Sequence, residues 1–156
     1  MPVIEIRTFQ KGQETLVSQL IREVYDEFVA PGYTPKGNAF FYAYIDPKAL
    51  LIRYEIQNST WLSFVDDMLA GMIEIRDNNR VSLLFTRKEF QRIGVARKLL
   101  NEAIKRFQIS DGTTKTIYVH ASPYSIPAYQ RLGFTATSSF QETNGITYLP
   151  MEMTLR

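Results

Sequence analysis

The chain has 156 residues and a formal net charge of +2, with no cysteine and a single histidine, His120. This composition excludes disulfides, thiolate metal sites, a cysteine nucleophile and a multi-histidine metal centre, and the charge is too small to argue for nucleic acid as a partner. The length fits one domain over residues 1–156 with a sizeable core, and the absence of a signal-like N-terminus or a run of about eighteen apolar residues leads us to expect a cytoplasmic protein with no membrane partner.

Pro2 to Phe9 alternates weakly and predicts a first strand. From Gln13 to Val29 the pattern is helical, with Leu16, Leu20, Val24, Tyr25 and Phe28 sharing a face. Ala30 to Gly37 (A-P-G-Y-T-P-K-G) reads as a loop. The aromatics Tyr33, Phe40, Phe41, Tyr42 and Tyr44 that surround it either pack in the core or line an acceptor pocket. Asp46-Pro47 places proline at a first helical position and opens a helix to Gln57. Thr60–Val65 and Met68–Ile75 predict antiparallel strands joined at Asp66-Asp67, and Asp77-Asn78-Asn79 turns the chain into a further strand at Val81.

The most informative stretch follows. Leu83 to Leu100 (L-L-F-T-R-K-E-F-Q-R-I-G-V-A-R-K-L-L) passes from an apolar strand through a basic turn into a helix start. Its centre, Gln91-Arg92-Ile93-Gly94-Val95-Ala96, fits Q/R-x-x-G-x-G/A. A strand that feeds directly into a helix leaves the first helical N–H groups unpartnered and pointing outward, where the helix dipole adds positive charge. Gly94 lets a diphosphate approach the main chain, and Arg87, Lys88, Arg92, Arg97 and Lys98 crowd the same region. Alone, a G-x-A could simply ease helix–sheet contact; its context of strand before and amphipathic helix after favours an anion site. That helix is specified by Ala96, Leu99, Leu100, Ala103, Ile104 and Phe107 on one face.

Thr116–Ala121 reads as a strand stopped by Ser122-Pro123. Ser125 as N-cap, Pro127 in the first turn and Gly133 just past the end frame a short helix, Ile126 to Leu132. Thr135–Gln141 and Ile146–Leu155 predict a closing hairpin around Asn144-Gly145. The order is βα(α)βββαβαββ. We expect a mixed α/β fold, its sheet mostly antiparallel, with helices on both faces and one right-handed parallel crossover from Val81 to Ala121.

Together, Q-R-I-G-V-A and A-Y-Q-R-L-G-F (Ala128 to Phe134) resemble the GCN5-related N-acetyltransferase (GNAT) superfamily, and the order of elements extends the resemblance over most of the chain. It implies transfer of an acetyl group from acetyl-CoA to a primary amine of a small-molecule or peptide acceptor, by direct attack in a ternary complex and without a metal. In that frame the backbone of Leu84, Phe85 and Thr86 binds the pantetheine arm of coenzyme A. Gln91, Arg92, Ile93, Gly94, Val95, Ala96 and Arg97 hold the pyrophosphate, and Ser122 and Ser125 add polar contacts. A bulge near Phe85 would splay Ser82–Thr86 from Ile117–Ala121, and a backbone N–H there would serve the oxyanion. Tyr129 is the expected general acid. The base is Glu74, His120 or a water chain, because Arg80 stands where some relatives have a glutamate. That arginine keeps open a non-catalytic acyl-CoA-binding or sensing module; a transferase for longer acyl chains is a further alternative. The resemblance also allows a homodimer, formed through the final strands or the aromatic segment.

Overall fold

The computed structural model describes residues 2–57, 59–110 and 115–155, the last four of the second stretch by backbone alone. Its strands are β1 (Ile4–Thr8), β2 (Thr60–Val65), β3 (Met68–Arg76), β4 (Arg80–Thr86), β5 (Thr116–Ala121), β6 (Thr135–Ala136), β7 (Gln141–Thr143) and β8 (Ile146–Thr154). Its helices are α1 (Glu14–Phe28), α2 (Pro35–Tyr44), α3 (Pro47–Gln57), α4 (Val95–Ser110) and α5 (Ile126–Leu132). The strands lie in the order β1-β2-β3-β4-β5-β8-β6, with β7 paired to β8. Only β4 and β5 run parallel; the other pairings among the described residues are antiparallel.

Both faces of the sheet are covered, which is why β2 is buried at every position and β3 at nearly every one. On one face Leu99, Leu100 and Ala103 of α4 pack on Ile73, Ile75, Val81, Ile117 and Val119. On the other, Val17, Leu20 and Ile21 of α1 and Leu50 of α3 meet Leu62, Met72 and Leu83. Successive residues of β3 therefore alternate between two cores. Each fully buried Leu or Ile contributes about 1.5–3 kcal/mol. The buried stripe of α1 is Val17, Leu20, Ile21, Val24 and Tyr25. Leu16, expected on it, is 43% exposed, and Phe28 is only half-buried. Phe107, expected on the α4 face, lies outside the described side chains.

Three other expectations change. Ala30–Gly37 is not a loop: Ala30–Gly32 forms a 3₁₀ turn, and α2 begins at Pro35. Thr34 Oγ1 accepts from the Gly37 amide at 3.1 Å, so the residues that suggested a loop are a helix start, with a threonine N-cap and proline in the first turn. The predicted strand Thr135–Gln141 divides into β6 and β7, which pair with different parts of β8. The β7–β8 turn holds Asn144 and Gly145 at φ +56° and +81°, the left-handed pair that a two-residue hairpin requires.

The third change positions the cleft. Ile75 pairs with Val81 but Glu74 with Leu83, so the bulged residue of β4 is Ser82 and not one near Phe85. Parallel pairing of β4 with β5 is confined to Arg80–Tyr118 and Val81–Val119. Beyond the bulge the two strands part, as a bulge that bends its strand would require. The edge of β4 from Leu83 to Thr86 is left without a partner strand on that side.

Candidate active site

A cavity of about 1050 Å³ occupies the gap between β4 and β5. Several regions of the chain line it, α1 among them through Val24 and Tyr25. The turn into α4 forms one end, the parted strands and α5 form the middle, and α2 with the β7–β8 hairpin covers the other end. The hairpin is seated on α2: Thr34 Oγ1 donates to the Gly145 carbonyl at 3.1 Å, and Tyr33 Oη donates to the Thr147 carbonyl at 3.0 Å.

At the α4 end, Arg92 and Gly94 have φ of +67° and +94°. This alternation turns successive main-chain N–H groups toward a common point before the helix begins at Val95. A Cβ built on Gly94 would meet nothing within 4 Å, so the loop faces open space. Gln91, Arg92, Gly94, Val95, Ala96 and Arg97 line the cavity there, whereas the Ile93 side chain packs against the core under α4. Any role for Ile93 is therefore confined to its backbone. Gln91 Nε2 donates to the Thr86 carbonyl at 3.1 Å, tying the loop to the end of β4.

The basic cluster read from sequence is smaller in space. Arg87 and Lys88 turn to Glu23 and Glu27 of α1 (3.7 and 3.0 Å), and Lys98 Nζ donates to the Ile4 carbonyl. Arg92 and Arg97 remain at the cavity and are joined by Arg131 of α5, whose carbonyl accepts from Arg97 Nη2 at 2.8 Å. The helix start, the open space at Gly94 and these cations fit a diphosphate. The unpartnered edge at Leu84, Phe85 and Thr86, all of which line the cavity, fits an amide-bearing arm. The residues present thus suit coenzyme A.

In the middle, Ser122 and Ser125 face the cavity and bond to each other, Ser122 Oγ donating to Ser125 Oγ and Ser125 Oγ to the Ser122 carbonyl, both at 2.9 Å. Ser125 consequently makes no side-chain cap on α5. Tyr129 also lines the cavity, 7% exposed, with its ring edge-on to Phe134 at 5.4 Å. Burial pushes its phenol well above the ordinary value. His120 lies across the gap on β5, stacked on Tyr148 with ring centroids 4.2 Å apart. Burial, with the charge of Arg80 as a second cause, lowers its pKa below the usual histidine value.

Glu74 sits apart from the cavity surface. Its carboxylate is 4% exposed and accepts from Arg53 Nε (3.1 and 3.2 Å), Tyr44 Oη (2.9 Å) and Ser82 Oγ (2.6 Å). Three donor side chains, the half-buried Arg53 guanidinium among them, hold this carboxylate and give it a structural role. Glu74→Gln should therefore act first on stability. Leaving Arg53 without its counter-charge is expected to cost about 3 kcal/mol, measurable by urea denaturation. An unchanged midpoint together with a collapsed kcat would instead make Glu74 the base.

Of the aromatics named from sequence, Tyr33, Phe40, Phe41 and Tyr44 line the cavity. Tyr42 does not: its hydroxyl donates to Asp26, and Arg22 stacks over its ring at 4.2 Å. Sequence reasoning missed Arg76, Arg131 and Tyr148. The signal for Arg76 was present, because the three-residue turn Asp77-Asn78-Asn79 places it opposite Arg80. Tyr148 carried none, since its place depends on how the last hairpin folds back onto α2.

Comparison with known proteins agrees with this geometry. The sequence matches the acetyltransferase (GNAT) domain over residues 29–155. No curated protein sequence matches it significantly. Among solved structures, it resembles a GCN5-related N-acetyltransferase from Rhodopseudomonas palustris with 16% identity and a TM-score of 0.83, covering 99% of this chain and 98% of the other. It also resembles PaiA N-acetyltransferase from Thermoplasma acidophilum, solved in complex with coenzyme A, with 19% identity and a TM-score of 0.77 over 98% and 99% of the two chains. The N-acetylglutamate synthase of Neisseria gonorrhoeae, complexed with coenzyme A and N-acetyl-glutamate, matches all of this chain with 36% of its own, at 15% identity and a TM-score of 0.66. The domain match spans most of the chain, and the strand parting and helix-start loop that the motifs implied are both present: the chain belongs to the GNAT acetyltransferase family.

Proposed function

We propose that this protein transfers an acetyl group from acetyl-CoA to a primary amine by direct attack, both substrates being held in the cleft between β4 and β5. The observation that carries this reading is the coincidence, in one cavity, of a helix-start anion site and a buried, protonated tyrosine across parted strands. Acetyl-CoA supplies the acetyl group already activated as a thioester.

The chain's own residues supply the rest. The backbone from Arg92 to Ala96, with Arg97, holds the diphosphate, and the free edge of β4 at Leu84–Thr86 aligns the arm. A main-chain N–H near Phe85 faces the developing oxyanion, a donor already oriented before reaction. Tyr129 Oη keeps its proton for the leaving sulfur. His120, unprotonated at neutral pH, accepts the proton that the amine must lose. Covalent catalysis is not part of the reading, because the chain has no cysteine nucleophile.

The test is thiol release from acetyl-CoA across a panel of primary amines, with calorimetric titration of coenzyme A alongside. Binding without turnover on any amine would leave a sensing module in place of an enzyme. Absence of binding by folded protein would remove the site altogether.

The base has its own signature. A depressed histidine pKa keeps the accepting form populated as pH falls, so the acidic limb of kcat/KM should lie below the ordinary value of about 6.5. Activity is full above that limb and lost as pH drops through it. In His120→Asn the limb should move toward the intrinsic titration of the amine, with a ~10²-fold loss at neutral pH. A limb unmoved by the substitution would assign deprotonation to water.

A further inference from the structure

At the acceptor end of the cleft, two arginines have no salt-bridge partner among the described residues. Arg76, the last residue of β3, and Arg80, the first of β4, stand directly opposite each other across the turn Asp77–Asn79. Like charges at facing positions of an antiparallel pair repel, and folding alone gives no reason to place them there. Both line the cavity. Each has a buried Nε with no hydrogen-bond partner. Among the described residues no carboxylate oxygen comes within 4.0 Å of either guanidinium. Arg76 meets Tyr44 alone, by a long 3.4 Å contact from Nη1 to Tyr44 Oη and with its guanidinium 5.5 Å from the ring centroid, among the described side-chain contacts.

The nearest buried acid, Glu74, is paired directly with Arg53 and acts on Arg76 only at longer range. This end therefore holds three guanidiniums (Arg53, Arg76, Arg80) against one buried carboxylate, and Asp77 reaches Arg76 only at longer range. The pair is also remote from the diphosphate loop. β4 runs seven residues from Arg80 to Thr86 before that loop begins, a separation of about 20 Å at ~3.3 Å per residue. Orphaned, half-buried guanidiniums of this kind are satisfied by a planar or tetrahedral oxyanion.

We infer that the acceptor is an anionic amine, a small molecule whose own carboxylate or phosphate is held by Arg76 and Arg80 while its amine reaches toward His120. This rests on the acetyltransferase reading above and adds the acceptor's chemical class. The arginine pair would act by positioning, drawing the anionic end to the start of β4 so that the amine lies in the gap. A cationic polyamine would meet repulsion at the same place.

The experiment is a steady-state comparison of amino acids with their carboxamides, of phosphoethanolamine with ethanolamine, and of both sets with spermidine. Acetyl-CoA is kept saturating and its binding measured separately by calorimetry. The inference expects kcat/KM for the anionic member of a pair to exceed the neutral one by about ten- to a hundredfold, the worth of one or two charged hydrogen bonds. The carboxylate and phosphate arms then identify the anion. In Arg80→Gln and Arg76→Gln, measured at a pH above the acidic limb that Arg80 helps to set, the KM of the preferred amine should rise by a similar factor, while kcat and acetyl-CoA affinity change little. Thermal melting checks the fold of each variant. Equal rates with neutral and anionic partners, or a preference for spermidine, would overturn the inference and leave the acetyltransferase reading intact. Loss of acetyl-CoA binding in the wild type would defeat that reading instead.

Discussion

Gly94→Glu should abolish coenzyme A binding while leaving a folded protein. Gly94 has φ +94°, a conformation that costs any side chain about 1–2 kcal/mol. No neighbouring atom lies within 4 Å of the added Cβ, so the cost is local and the fold has room for the change. The consequence for an anion is severe. A carboxylate would project from the loop whose backbone amides and helix dipole otherwise attract the diphosphate, replacing attraction with repulsion at the same point. Loss of two charge-assisted hydrogen bonds alone corresponds to roughly 3 kcal/mol, or ~100-fold in affinity, before the added charge is counted. Calorimetry of the variant against the wild type, with melting curves for both, decides it. Normal coenzyme A affinity in Gly94→Glu would remove the loop from the binding site and with it the main support for the proposed function.

The sequence made the fold legible where one signal dominated. The Asp66-Asp67 and Asn144-Gly145 turns, Leu99, Leu100 and Ala103 of the α4 stripe and the Asp46-Pro47 helix start all depend on local chemistry, and each is where the pattern placed it. Ala30–Gly37 was misjudged because proline and glycine punctuate helix starts as readily as loops; the capping threonine that decides the matter was read as one more loop residue. Much of the site shares that local character. The candidate diphosphate loop, residues 91–97, is one contiguous segment, and its residues line the cavity with the exception of the Ile93 side chain. What could not be read was long-range pairing. Glu74 alternates as a cleft residue should, but its environment is set by Arg53 and Tyr44, which arrive from helices before β2. The bulge falls at Ser82, whose hydroxyl bonds to Glu74 across the strand pair, an interaction that no periodicity reveals.

Tyr129→Phe is expected to lower kcat by ~10²–10⁴-fold, the usual worth of a positioned general acid, with acetyl-CoA affinity nearly unchanged. The substitution removes one hydroxyl and retains the ring. Its edge-on packing against Phe134, and α5 between Ser125 and the left-handed Gly133, should therefore persist. The split between kcat and affinity follows from when the hydroxyl acts: it is needed only as negative charge appears on the leaving sulfur, and interactions made only in the transition state appear in kcat. The pH profile gives a second readout. Burial raises the phenol's pKa, so the acid form persists above the ordinary tyrosine value of about 10. The wild type should accordingly show no alkaline loss of kcat from this group up to that pH, and the variant should show the same flat region at a lower level. An unchanged kcat in Tyr129→Phe would exclude the hydroxyl as the acid, and the leaving thiolate would then take its proton from solvent.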